Sequence, residues 1–203
     1  PRNPFIQFHI SPNVKEREYL TEDELKAVMT HEFADSKLAY IRDIFIFASF
    51  TALSFVDIQE LTNDNIVEVN GEKWILSKRH KTKVAFQVKL LDIPLQIVER
   101  YRPMQKDNRI FPGLNYWSIC KPLKRMIREC GITKSISFHC SRHGFATLAL
   151  SKGMPIESVS RVLGHTNIVT TQLYAKITTQ KLDNDLTMFG DKLSKTFNGI
   201  TMS

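Results

Sequence analysis

The chain has 203 residues, 42% of them hydrophobic, enough to bury a core in one large domain or two small ones, which places it among globular proteins. A formal charge of +7 suits a polyanionic partner and fits an ordinary basic protein equally well. Cys120, Cys130 and Cys140 show neither C-x-x-C nor Cys/His ligand spacing, so no disulfide framework or zinc site is indicated; no apolar run is long enough to span a bilayer, and a reducing, cytoplasmic compartment is expected.

Residues 1 to 18 begin at Pro1, are polar with little periodicity, and are expected to be a linker from an upstream region. Thr21-Glu22-Asp23-Glu24 is a capping box ahead of Leu25, Val28 and Met29, which predicts a helix from about residue 22. Leu38, Ile41, Ile44, Phe45 and Ala48 recur at helical spacing and predict a core-facing helix from about 37 to 52. From 64 to 91 the pattern changes to short β-rich runs around Ile66–Val69, Trp74–Leu76 and Val84–Leu90. They are separated by Asn70-Gly71 and by the basic segment Lys78 to Lys83, and predict a three-stranded antiparallel sheet. Helices are expected again at about 93–102, 116–130, 141–152 and 155–163, the last three ending before Gly131, Gly153 and Gly164, then around 167–174 and 179–188. Asp191 to Ser203 reads as a polar tail. The fold class is mainly α with a small three-stranded antiparallel sheet (α+β), as one domain over 19–190.

The densest chemical cluster is His139-Cys140-Ser141-Arg142-His143, followed by Leu163-Gly164-His165 and Tyr174. Each residue alone reads most simply as packing or a satisfied hydrogen bonder; together they meet the needs of attack on a phosphodiester. Such an attack takes a nucleophile, donors for the non-bridging oxygens and an acid for the leaving oxygen. Tyr174 offers the nucleophile, Arg142 a planar fork for two phosphate oxygens, and His139 and His165 further donors. No metal or other cofactor is required, and no acidic cluster suited to one is evident.

His139-x-x-Arg142-His143, Leu163-Gly164-His165 and Tyr174, in this order and spacing, closely resemble the carboxy-terminal signature of the tyrosine recombinases, the phage-integrase and Xer-like family. The resemblance covers about residues 20 to 190 and implies that family's catalytic-domain fold. It implies a covalent 3′-phosphotyrosine intermediate at Tyr174 in DNA recombination or integration for a mobile element, double-stranded DNA as partner, and a tetramer during synapsis formed from monomers. It also implies a hairpin lysine as general acid, for which Lys81 is chosen over Lys78 and Lys83.

One stretch departs from the family pattern. Where a first catalytic arginine is usual, the chain reads Thr51-Ala52-Leu53-Ser54-Phe55-Val56-Asp57. Arg79 is the expected substitute, on the argument that alternate residues of an extended strand share a face, so that Arg79 and Lys81 point the same way. Arg42 is the alternative, with a salt bridge or snorkelling contact as its simpler role. Asp57 is expected to orient Arg142 or a helix terminus. Lys121, Lys124, Arg125 and Arg128 form either a DNA-facing stripe or a solvated face, and Leu182, Leu186, Met188 and Phe189 give 179–190 an apolar face for a neighbouring subunit or for the domain itself. The competing readings are a type IB topoisomerase-like or resolvase enzyme, and a catalytically weakened DNA-binding relative.

Overall fold

The computed structural model describes residues 18–196 apart from 82, 106 and 175–178, and apart from the side chains of 179–182 and 184. The expected linker, bar its last residue, the end of the polar tail and the Leu182 side chain lie outside the described residues. Helix α1 (Glu22–Thr30) starts at the expected capping box, Thr21 Oγ1 accepting from the Glu24 amide while the Glu24 carboxylate accepts from the Thr21 amide. Helix α2 (Ser36–Thr51) is the axis of the domain: Ile44 through Ser49 are consecutively buried, so this helix has no solvent face along that stretch. It packs against α1, α4 (Asp92–Tyr101), α5 (Tyr116–Glu129) and α6 (His139–Ser151). Its buried Asp43 is tolerated because Arg42 Nε, Arg100 Nη1 and the Tyr101 hydroxyl all donate to it.

A short helix, α3 (Phe55–Gln59), follows α2 and was not expected. The sheet is the expected antiparallel meander of β1 (Ile66–Val69), β2 (Glu72–Lys78) and β3 (Ala85–Lys89), with β2 central and Ile75 paired to Ile66 on one side and Val88 on the other. Ile75, Phe86 and Val88 turn one sheet face into the main core.

Two helices complete the site side of the molecule, α7 (Ile156–Leu163) and the four-residue α8 (Val169–Gln172). Ala52, Ala146, Leu150, Val159 and Leu163 form a second apolar cluster, separate from the main core, on which the partly buried Tyr174 packs. The last helix, α9 (Thr179–Thr196), runs past the expected end near 188, and its Leu186, Met188 and Phe189 are exposed. No helix of the described residues is long and apolar enough to cross a membrane.

Candidate active site

Arg142 sits one turn into α6 at the seam between the two apolar clusters. Its Nη1 donates to the carbonyl of Ala52, the left-handed residue that closes α2, at 2.8 Å, and its Nη2 donates to the carbonyl of Leu163, the last residue of α7. The guanidinium is thus held by the carboxyl ends of two helices, where unpaired carbonyls and the helix dipoles favour a cation. Burial pulls its pKa down to about 10 and the neighbouring Arg79 acts in the same direction, while Asp57 and Tyr174 oppose them, so it stays charged at neutral pH.

Arg79 is the second guanidinium of this seam. Nη1 donates to Asp57 Oδ2 at 2.8 Å, Nη2 donates to the Val162 carbonyl, and the side chain lies 4.0 Å from the Phe86 ring centroid. Its buried Nε has no partner among the described residues. Gly164 makes room for it: a Cβ there would fall 3.0 Å from Nε and 3.1 Å from Cγ. Arg79 and Lys81 do not share a strand face as expected, because β2 ends at Lys78 and a turn follows, with the Lys83 amide bonded to the Arg79 carbonyl; Arg79 is buried and Lys81 is exposed on that turn.

Asp57 and Ser54 take roles set by α3. Ser54 is its N-cap, giving its hydroxyl proton to Asp57 Oδ2 at 2.8 Å and accepting from the Asp57 amide. Asp57 closes the cap from the other side, pairs with Arg79 rather than with Arg142, and accepts the His80 amide at 3.0 Å. Burial pushes the Asp57 carboxyl up, but the His80, Arg79 and Ser54 bonds outweigh it and hold it below the usual carboxylate range. Arg42 keeps to its simpler role, bonded to Asp43 and to the His31 carbonyl beside the Phe33 ring.

His165 follows the Gly164 cap, its amide fixed on the Ser160 carbonyl at 3.1 Å, and its Nδ1 lies 2.9 Å from Thr171 Oγ1. Burial, then Arg142 and Arg79, push its pKa down to about 4, so the ring is neutral at pH 7. Tyr174 stands in the turn just past α8, its amide donating to the Thr171 carbonyl at 3.0 Å. Its ring is 5.1 Å from that of the buried His143, which in turn meets the ring of His139, the first residue of α6, at 4.6 Å. Arg142, His165, Tyr174, His139 and Arg79 are therefore gathered in one place.

Three residues of this place have no role assigned from the sequence, although His143 and Gly164 stand in the family signature. His143 lies four residues beyond His139 and so on the same helix face, Thr171 three before Tyr174, and Gly164 was read only as a cap. On α5, Lys121, Lys124, Arg125 and Arg128 are all exposed, but Arg125 is bonded to Glu129 at 2.7 Å and to Asp35 at 3.2 Å.

The family model described as the phage integrase family matches residues 18–181. A tyrosine recombinase XerA from Pyrococcus horikoshii is 32% identical over 177 residues, 80% of this chain and 58% of that protein. A tyrosine recombinase XerC from Lactobacillus leichmannii is 27% identical over 179 residues, 81% of this chain and 60% of its own length. The chain thus spans less than two thirds of these relatives. Among solved structures, a XerA recombinase superposes with a TM-score of 0.68 at 21% identity, covering 85% of this chain and 65% of that one. A Tn1549 transposon integrase in complex with transposon right-end DNA superposes with a TM-score of 0.72 at 16% identity, covering 94% and 72%. These two show that the folds are alike.

Proposed function

This chain belongs to the phage integrase family, and on that premise we propose that it is the catalytic domain of a site-specific tyrosine recombinase, at 19–190, that cuts and rejoins DNA through a covalent bond to Tyr174. The observation that carries the reading is electrostatic. Two guanidiniums, the buried Arg79 and the half-buried Arg142, share this seam, and among the described residues Asp57 is the one carboxylate acting on both, so the seam carries a net positive charge beside the phenol of Tyr174. A phosphodiester supplies the anion that such a seam favours.

In the proposed step the Tyr174 oxygen attacks phosphorus, the bond from phosphorus to the 5′ oxygen breaks, and a 3′-phosphotyrosine forms. Arg142 binds non-bridging oxygens with the donor capacity left free by the two carbonyls that fix it. Neutral His165 donates a hydrogen bond without changing charge. His139 donates to the same phosphate or receives the Tyr174 proton, and Lys81, on the exposed hairpin turn, gives a proton to the departing 5′ oxygen. A free 5′ hydroxyl of a partner strand reverses the step. Arg79 takes the part of the arginine absent at Ser54, mainly as a fixed positive charge, since Asp57 and the Val162 carbonyl hold two of its N–H groups. Strand exchange between two duplexes in a tetramer, for a mobile element and in the cytoplasm, completes the reading, and the exposed apolar residues of α9 are suited to linking subunits.

The test is a duplex nicked next to the cleavage site, which traps covalent protein on DNA. The wild type is expected to accumulate an adduct at neutral pH and Tyr174→Phe none. An adduct that persists in Tyr174→Phe overturns the assignment, and no adduct with the wild type sinks the catalytic reading in favour of a DNA-binding relative.

A further inference from the structure

Thr171 is completely buried and uses both its polar ends on neighbours in the site. Its side-chain oxygen lies 2.9 Å from Nδ1 of His165, and its carbonyl accepts the Tyr174 amide at 3.0 Å. We propose that Thr171 is a positioning residue whose hydroxyl donates to His165 Nδ1, fixing the ring with its proton on Nε2 and tying that ring to the turn that carries Tyr174.

A neutral imidazole ring has one donor nitrogen and one acceptor nitrogen, and the partner of one decides the state of the other. With Thr171 donating to Nδ1, Nε2 must carry the proton and can donate to a phosphate oxygen. With the opposite tautomer, Nε2 would present a lone pair to an anion and repel it. The ring is held neutral by its surroundings, with a pKa near 4, so at neutral pH the choice between tautomers decides whether the ring donates at all. Thr171 also makes the donor and the nucleophile move together. The backbone of His165 is anchored on α7 through Ser160, whereas Tyr174 hangs from α8, and the hydroxyl of Thr171 joins the two supports. If the Tyr174 turn leaves its place, His165 loses the contact that sets its tautomer.

This inference rests on the cleavage reading for its role in catalysis, while its geometric part can be tested without DNA. The ring nitrogens are observed by 15N NMR of the histidine-labelled protein, with His165 assigned by its loss in His165→Gln. The wild type is expected to show His165 Nδ1 as an unprotonated acceptor and Nε2 protonated. Thr171→Val keeps shape but not the hydroxyl and is expected to give a mixture of tautomers, whereas Thr171→Ser restores the wild-type pattern. Adduct formation on nicked DNA is expected to fall roughly 10–100-fold in Thr171→Val, by analogy with losing the partner that orients a metal-bound histidine, and to stay near wild type in Thr171→Ser. Protonated Nδ1 in the wild type overturns the proposal. So does a Thr171→Val protein with an unchanged His165 spectrum, and so does a Thr171→Ser protein as impaired as Thr171→Val, which would mark a packing role only. An inactive wild type with the expected spectrum would leave the Thr171–His165 pairing standing and remove the cleavage reading instead.

Discussion

Arg79→Met keeps an unbranched apolar stem, removes the guanidinium and leaves the Asp57 carboxylate buried without its cation. The two side chains are 6% and 4% exposed and lie 2.8 Å apart, so solvent cannot take over the lost interaction. Breaking one side of a buried pair costs about 3–5 kcal/mol. Asp57 still accepts from the Ser54 hydroxyl and the His80 amide, which places the expected cost near the lower end, about 3 kcal/mol. Asp57→Asn in the Arg79→Met background removes the stranded charge, so the double variant is expected to recover about 1–2 kcal/mol relative to the sum of the single costs. Urea unfolding measures this directly: with a slope of about 2 kcal/mol per molar, Arg79→Met should lower the midpoint by about 1.5 M at unchanged slope. The same pair has an acid signature. Because the folded Asp57 pKa is depressed, its stabilisation is present above the unfolded carboxylate value and is lost as pH falls through the folded one; Arg79→Met should shrink that loss. A midpoint shift below about 0.3 M, or strictly additive single costs, would refute the pair as a buried support of the site.

Gly164 and Gly153 both have positive φ, +64° and +87°, but only at Gly164 would a Cβ meet Arg79, so Gly164→Ala should destabilise by more than the roughly 1–2 kcal/mol of left-handed strain expected for Gly153→Ala. Equal costs would show that Arg79 moves aside freely. Since His165 has its folded pKa lowered from 6.5 to about 4, the unfolded chain binds the proton first, and the stability this group contributes is full above about pH 6.5 and falls as pH drops toward 4. Replacing it by Asn should flatten the stability profile in that window, and an unchanged profile would count against a buried neutral ring. In DNA-binding titrations, Lys121→Ala and Lys124→Ala should each reduce the slope of log K against log salt by about 1, whereas Arg125→Ala, whose guanidinium is bonded to Glu129 and Asp35, should change it less. The same loss from Arg125 as from the lysines would show that its ion pairs open on DNA.

What the chain shows without coordinates is whatever rests on local periodicity or local turns. The capping box at Thr21, the Asn70-Gly71 hairpin and the glycine after α7 each act within a few residues, and each falls where expected. Helix α3 is five residues long, too short for a full amphipathic repeat; its one local signal is the capping pair of Ser54 and Asp57, which from sequence alone marks only the place of a missing arginine and a residue expected to orient Arg142 or a helix terminus. The environment of Arg79 was illegible for the opposite reason: its partners Asp57 and Val162 stand 22 and 83 residues away, and no spacing rule connects them. Strand alternation pointed to Arg79 by an argument that fails at Lys78. His139, Arg142, His165 and Tyr174 were singled out together because the chemistry proposed for them needs several residue types at once, and the fold gathers them. Their supports, the carbonyls of Ala52 and Leu163 and the hydroxyl of Thr171, carry no such chemical label in the sequence.

The small cluster of Ala52, Ala146, Leu150, Val159 and Leu163 carries the proposed nucleophile, Tyr174, and supplies both carbonyl supports of Arg142, one of them from the residue that closes α2. Local opening free energy follows buried apolar contact, so amides from Ile156 to Tyr174 are expected to exchange with solvent before those of α2. On the proposed mechanism such a molecule disarms as a unit: when Ile156 to Tyr174 opens, Tyr174 departs together with His165 and the Leu163 carbonyl, and Arg142 keeps its bond to the Ala52 carbonyl at the end of α2. If the proposed cleavage chemistry holds, a partly opened molecule is left without a lone nucleophile that could break a strand and fail to reseal it.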